Sequence, residues 1–449
     1  MFLKKVKNLK YWDSFLRKDS RFDGNVFTPQ EIEKVYRPRD GLLFSKKTIR
    51  KELKGVREVD FWTTFTPDQI DVNISDKHIE KYFDDTLEKL AQNGVSQIRL
   101  DVAGYISKKP GTDCFLIPEA YQYIEEFSKK AKVKDIDVLV ELHYHHEKIL
   151  DVAERVKNYA YVYDFQLPPL ILDGIFRGDA QNIENWLKIR PEKTYTVLDT
   201  HDGIGIIDSE DLLGNQSLPE EKKKEQDITR REQLIRKIHE NTKGNSEKAS
   251  GGNANNLDLY QVNTTFYDAL GRDDGAYLLA RAIQFFTPGI PQVYYTGLLT
   301  GENDVDILRY TQEGRDVNRH WYSKKEISQA LEKQVVKDQL ELIEFRNNHP
   351  AFDGSVFNYS LIDNHTLKFN WTNREHHAIL IADLKKKNYK IEYSNDGKKY
   401  NVWFIFYFKS FSFPYSAKFL WCGGSLKFFD FWCFIAHQYP SVSPAISKA

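Results

Sequence analysis

Three stretches of this chain run apolar and then stop on a carboxylate. Val95-Ser96-Gln97-Ile98-Arg99-Leu100 ends at Asp101, Val138-Leu139-Val140 ends at Glu141, and Thr196-Val197-Leu198-Asp199-Thr200-His201 leads into Asp202. Carboxylates carried at the C-terminal ends of parallel strands are how an α/β barrel assembles a site for glycosyl transfer. The pattern therefore points to sugar chemistry on a strand–helix scaffold.

The rest of the chain supports that scaffold. Ile79, Tyr82, Phe83, Leu87 and Leu90 share one helical face, which Asn93-Gly94 ends. Helices are expected over roughly 118–132, 146–157, 183–187, 218–242, 275–286 and 320–348, and strands at 161–164, 195–199 and 292–295. Strands separated by connections this long are parallel, joined by right-handed crossovers. Five such strands stand against the eight of a closed barrel. The expected fold class is thus α/β, a (β/α)8 TIM barrel that is incomplete, with strands 4–8 present over residues 67–348. An inactive fragment with little or no turnover therefore stays open beside an active enzyme. Residues 1–66 read as a basic, irregular segment. Residues 349–400 read as a small antiparallel β domain, with Asn395-Asp396-Gly397 as a hairpin turn. Residues 401–449 read as an aromatic tail, for which a non-native end, a divergent strand pair and a membrane anchor all stay open. Lys409, Pro414 and Lys418 interrupt it and weigh against a membrane span.

Composition narrows the class of partner. A formal net charge of −1 supplies no field to attract nucleic acid or an anionic membrane. Three cysteines cannot make a disulfide framework for 449 residues, so a reducing cytoplasm is the expected location. The first residues carry charge without a following apolar core, unlike a secretory signal. Eight Trp suit stacking on sugar rings as well as ordinary packing. Composition leaves monomer and homodimer both open.

Retaining cleavage of a glycosidic bond needs an ionised nucleophile and a protonated acid roughly 5–5.5 Å apart. Asp101 and Glu141 end consecutive strands, which lie about 4.8 Å apart in a sheet. Arg99 points to the same strand face as Asp101 and would hold it ionised. Leu139 is the equivalent neighbour of Glu141, so a raised pKa suited to an acid is expected there. His201-Asp202 could bind hydroxyls that tighten on a distorted ring. His143, His145 and His146 lack the helical i, i+4 spacing of a metal pair, and no metal is expected.

Ile98-Arg99-Leu100-Asp101, Val140-Glu141-Leu142-His143 and Leu198-Asp199-Thr200-His201-Asp202 resemble conserved regions of the α-amylase superfamily, glycoside hydrolase family 13. Within it, Asp199 to Gly205, Asn256 to Asn263, Gly314 to His320, Tyr36-Arg37-Pro38-Arg39 and Phe65-Thr66-Pro67-Asp68-Gln69 resemble the sucrose phosphorylases. The resemblance covers roughly residues 30–385. It implies that residues 1–66 belong to an insertion of the B-domain kind. It also implies a double displacement in which Asp101 attacks the anomeric carbon of sucrose, Glu141 protonates the leaving fructose and Asp202 stabilises the transition state. Arg99, His201 and Arg315 would hold the glucosyl unit or its carboxylates, with Phe65 as the platform beneath it. Tyr105, His143, Asp258 and Gln261 would lie on the fructose side, Arg39 and Tyr260 on the phosphate-side loop. No cofactor is implied, inorganic phosphate being a co-substrate.

Overall fold

The computed structural model describes residues 9–22, 24–37, 42–51, 55–251, 261–354, 356–398, 400–404 and 433–435. The chain divides into two compact units, Met1–Tyr163 and Asp164–Ala449.

The first unit opens with a hairpin, β1 (Phe44–Lys51) and β2 (Gly55–Trp62), paired antiparallel with Phe44 opposite Trp62. Leu16, Phe27, Val35, Leu43 and Trp62 form one small core beside it, and Phe15, Val59 and Phe61 a second. The expectation of an irregular segment over residues 1–66 is corrected here. Lysines and an arginine fill half of β1, so alternation is faint in the sequence. The apolar partners come instead from turns that precede the hairpin.

A helix, Lys77–Gln92, follows, capped by Asp76, whose side chain accepts from the His78 amide. Then come β3 (Gln97–Leu100), the helix Pro118–Lys132, β4 (Asp137–Val140), the helix His146–Val156 and β5 (Ala160–Asp164). These three strands are parallel, and Leu100 lies opposite Val140. That register decides the site, because the residue after each strand, Asp101 and Glu141, stands abreast of the other. Val138, Val140, Val162, Ile124 and Ile149 pack between the strands and helices.

The second unit begins with helices Leu167–Arg177 and Gln181–Ile189. The first was not among the expected helices. Pro168 and Pro169 fall in its opening turn, where no helical hydrogen bond is lost. Next are β6 (Thr194–Thr196), the short antiparallel pair β7 (Ile204–Gly205) and β8 (Gln261–Val262), and β9 (Ile290–Tyr294), parallel to β6. The stretch expected as one helix over 320–348 is two, Lys324–Glu332 and Gln334–Asn348, separated by an extended Lys333. A five-stranded antiparallel meander follows, β10 (Val356–Asp363), β11 (Thr366–Asn373), β12 (His376–Asp383), β13 (Asn388–Ser394) and β14 (Asn401–Phe404). In the aromatic end of the chain, β15 (Cys433–Ile435) pairs antiparallel with β9. The remainder of that end, including Lys409, Pro414 and Lys418, lies outside the described residues. Among the described residues no helix is long and apolar enough to cross a membrane.

Two strand-end carboxylates in this unit serve the fold. Asp164 is fully buried and accepts from the Trp186 indole at 2.9 Å, Arg190 Nε at 2.9 Å and the Leu167 amide. Asp199 pairs at 2.5 Å with Arg281, a completely buried arginine on the helix Asp274–Phe286 that also contacts Tyr277 and Gln284. Burial pushes the Asp199 carboxyl up, and Arg281 opposes that shift. Removing one partner of such a pair leaves an uncompensated buried charge, at a cost of about 3–5 kcal/mol. Arg281→Met is therefore expected to lower the urea unfolding free energy by that amount. A loss under about 1 kcal/mol would show that the pair is not what fastens this helix to the strands.

Candidate active site

In the first unit one guanidinium organises two carboxylates. Arg99 projects from β3 and donates from Nη2 to Asp101 Oδ1 at 2.6 Å, and the same nitrogen lies 3.3 Å from Glu141 Oε2. Glu141 also shares a hydrogen bond with Asp101. The environments of the two differ sharply: the Asp101 side chain is 59% exposed and that of Glu141 only 8%. Burial, then the Asp101 hydrogen bond, drives the Glu141 pKa up to about 8, against the pull of Arg99. Burial works against the Arg99 cation, but the charges of Glu141, Tyr163 and Asp101 outweigh it and raise its pKa. Directly after Asp101, Val102 adopts φ 47°. That left-handed backbone costs a β-branched residue of order 1–3 kcal/mol, and it turns the chain into the short helix Ala103–Tyr105.

Aromatic rings gather on this turn. Phe65 meets Tyr105 edge to face at 5.1 Å, and Tyr36 stacks on Tyr105 at 6.2 Å. Phe115 and Tyr144 pack against the same cluster. Gly104 keeps this packing tight, since a Cβ there would stand 2.6 Å from the Phe115 ring. His143, two residues past Glu141, is buried and, after Arg99, favours the ionised form of Glu141. Arg39 lies outside the described residues.

In the second unit Asp202 is held by arginine. Arg315 Nη1 donates to Asp202 Oδ1 at 2.5 Å, and Arg319 Nη2 lies 3.5 Å from the same oxygen. His201 Nε2 is 3.9 Å from it. Asn318 donates to the Thr200 and Asp202 carbonyls at 2.8 and 3.0 Å, and Arg319 Nε to the His201 carbonyl at 2.9 Å. Gln261 accepts from the Gly203 amide at 3.3 Å. A side chain on Gly203 would run into the Val262 carbonyl. Asp258 and Tyr260 lie outside the described residues.

No family model matches the chain. Individual relatives do. A sucrose phosphorylase of Agrobacterium vitis is 43% identical over 392 residues, covering 86% of this chain and 76% of that protein. The chain belongs to the sucrose phosphorylase family. The crystal structure of sucrose 6F-phosphate phosphorylase from Thermoanaerobacter thermosaccharolyticum, 34% identical, superposes with a TM-score of 0.76 over 90% of this chain and 78% of that one. An α-amylase from H. orenii, 15% identical, matches with a TM-score of 0.50 over 87% of this chain and 68% of that one. This second likeness shows the fold alone, a TIM barrel. As a member of the sucrose phosphorylase family the protein is a glycosyltransferase of the phosphorylase type.

The residues singled out from the sequence fall into two groups. Arg99, Asp101, Glu141, His143, Tyr105 and Phe65 are brought together in the first unit, and His201, Asp202, Arg315 and Gln261 in the second. Sequence reasoning missed Asn318, Arg319 and Tyr36, although each stands inside a motif already quoted. Arg319 follows Arg315 by four residues, a spacing that could have flagged a second cation on one carboxylate.

The raised Glu141 pKa also bears on stability. The folded protein keeps this proton up to about pH 8, whereas the unfolded chain releases it near the ordinary value of 4.5. Between those values the folded state binds more protons, so this group's contribution to stability is full below the lower value and lost as pH rises through the upper one. Glu141→Gln cannot ionise. Its melting temperature relative to the parent is expected to climb by more than ~2 °C between about pH 5 and pH 9. A difference that stays constant with pH would contradict the burial of this carboxyl.

Proposed function

We propose that the protein is a sucrose phosphorylase, carrying out reversible phosphorolysis of sucrose to α-D-glucose 1-phosphate and D-fructose with retention. The observation that carries this reading is the Asp101–Arg99–Glu141 arrangement: an exposed carboxylate ion-paired to arginine beside a buried carboxyl that stays protonated at neutral pH. The 43% identity to the Agrobacterium vitis protein supports sucrose as the donor.

In the first step an Asp101 oxygen attacks the anomeric carbon as the bond to the fructosyl oxygen breaks. Glu141 gives its proton to that oxygen, and fructose leaves neutral. The product is a β-glucosyl ester on Asp101, with Glu141 now ionised. Arg99, in contact with both carboxylates, stays in place while negative charge passes from Asp101 to Glu141. In the second step an oxygen of hydrogenphosphate attacks the same carbon from the vacated face, Asp101 departs as carboxylate, and the proton of the hydrogenphosphate passes to Glu141, which restores the acid. Two inversions give the α-anomer. Phe65 offers an aromatic face to the glucosyl ring, and Tyr105 and His143 border the leaving group. Asp202, clamped by Arg315, takes the role of stabilising the oxocarbenium-like state, and Gln261 and Asp258 recognise the ketose. Arg39 and Tyr260 supply the phosphate-side loop.

The test is an assay of fructose release from sucrose with and without inorganic phosphate. Release that needs phosphate and yields glucose 1-phosphate supports the reading. Phosphate-independent release of glucose would assign a hydrolase instead, and sucrose 6′-phosphate as the preferred donor would assign the relative seen in the crystal structure. Glu141→Gln is expected to lower kcat by about 10²–10⁴-fold. The pH profile of kcat/KM is expected to fall above about pH 8, where Glu141 loses its proton. Retention of the alkaline limb in Glu141→Gln would remove Glu141 from the acid role.

A further inference from the structure

The loop that carries Phe65 has little regular structure to hold it. It leaves β2 at Trp62, and the Thr63 amide donates to the Leu43 carbonyl at 2.9 Å. The next residue is fixed by a carboxylate. Asp71 Oδ1 accepts from the Thr64 amide at 3.1 Å, and Oδ2 accepts from the Thr64 hydroxyl at 2.6 Å. Asp71 is itself tethered to the same layer, its amide donating to the Trp62 carbonyl and its carbonyl accepting from the Leu16 amide.

The turn that carries Tyr105 ends in an unusual lysine. The Lys108 side chain is only 1% exposed, and its stem runs inward rather than toward solvent. Its ammonium lies 3.0 Å from Asp71 Oδ2, donates to the Tyr105 carbonyl at 2.5 Å, and sits 5.8 Å from the Trp62 ring centroid. A buried ammonium without a partner is expensive, and here one carboxylate supplies the countercharge. That carboxylate is the one that pins Thr64. A single ion pair therefore joins the residue before Phe65 to the backbone of Tyr105, and the two rings meet edge to face at 5.1 Å and 81°.

We propose that Asp71 and Lys108 are positioning residues that set the Phe65–Tyr105 corner, and with it the sugar-stacking surface beside Asp101. The inference rests on the proposed function for its kinetic consequence, though not for its geometry. Neither residue touches substrate in this account. Asp71 acts through Thr64 and Lys108 through the Tyr105 carbonyl.

A buried ion pair of purely structural value would give a different pattern from a positioning pair, and the double variant separates the two. Asp71→Asn and Lys108→Met alone each strand one charge, and both are expected to melt lower than the parent. In the Asp71→Asn/Lys108→Met double variant no charge is stranded, and most of the melting temperature returns. Positioning does not return with it. The double variant of the full chain is expected to keep a KM for sucrose raised by about tenfold, the worth of one well-oriented aromatic contact. Its kcat should change much less, because the contact is made in ground and transition state alike. Recovery of the parental KM along with the melting temperature would overturn the proposal. A crystal structure of the double variant decides the geometry without turnover: Phe65 displaced from Tyr105 supports it, and an unchanged ring pair refutes it. Were the parent to release no fructose in the presence of phosphate, the functional reading would fall while this structural readout still judged the pair.

Discussion

The guanidinium of Arg99 is the contact on which the first unit's chemistry depends. Two carboxyl groups in hydrogen-bond reach repel when both are ionised, and burial of one makes that worse. Arg99 lets Asp101 and Glu141 occupy the same place by offering one nitrogen to both, while burial decides which of them keeps a proton. The parallel register of β3 and β4 makes this unavoidable, since it sets the two residues abreast at the strand ends. A slip of one residue in β3 would carry Arg99 and Asp101 together to the opposite face of the sheet and part both from Glu141.

The second unit uses arginine in two ways that look alike in sequence. Arg281 and Arg190 neutralise Asp199 and Asp164 inside the fold and fasten helices to strands. Arg315 and Arg319 hold Asp202 in the loop after β6, where Asn318 fixes the backbone on either side of His201. The first pairs are almost wholly enclosed, whereas the arginine side chains on Asp202 remain about a fifth exposed.

Much of this was legible in the sequence. The apolar runs ending at Asp101 and Glu141 located both strands, because a buried parallel strand is a short continuous apolar stretch with a polar residue where it emerges. The arrival of Arg99 on the Asp101 side follows from the two-residue period of a strand. What stayed hidden depends on partners distant in the chain. Asp164 and Asp199 also end apolar runs, and nothing local marks them as structural. Their partners Trp186, Arg190 and Arg281 are revealed only by packing. The hairpin of residues 44–62 escaped notice because lysine and arginine break up the apolar alternation of its first strand. The inward ammonium of Lys108 escaped it because a lysine beside Lys109 reads as a solvated pair.

The central claim is that Asp101 becomes covalently glucosylated while Glu141 supplies the proton. Incubating the full chain with 2-deoxy-2-fluoro-glucosyl fluoride, digesting it and mapping the adduct by mass spectrometry tests this most directly. The account predicts one added fluoroglucosyl group, on the peptide containing Asp101, released on addition of phosphate. An adduct on another carboxylate, or none while fructose is still being produced from sucrose, would contradict it.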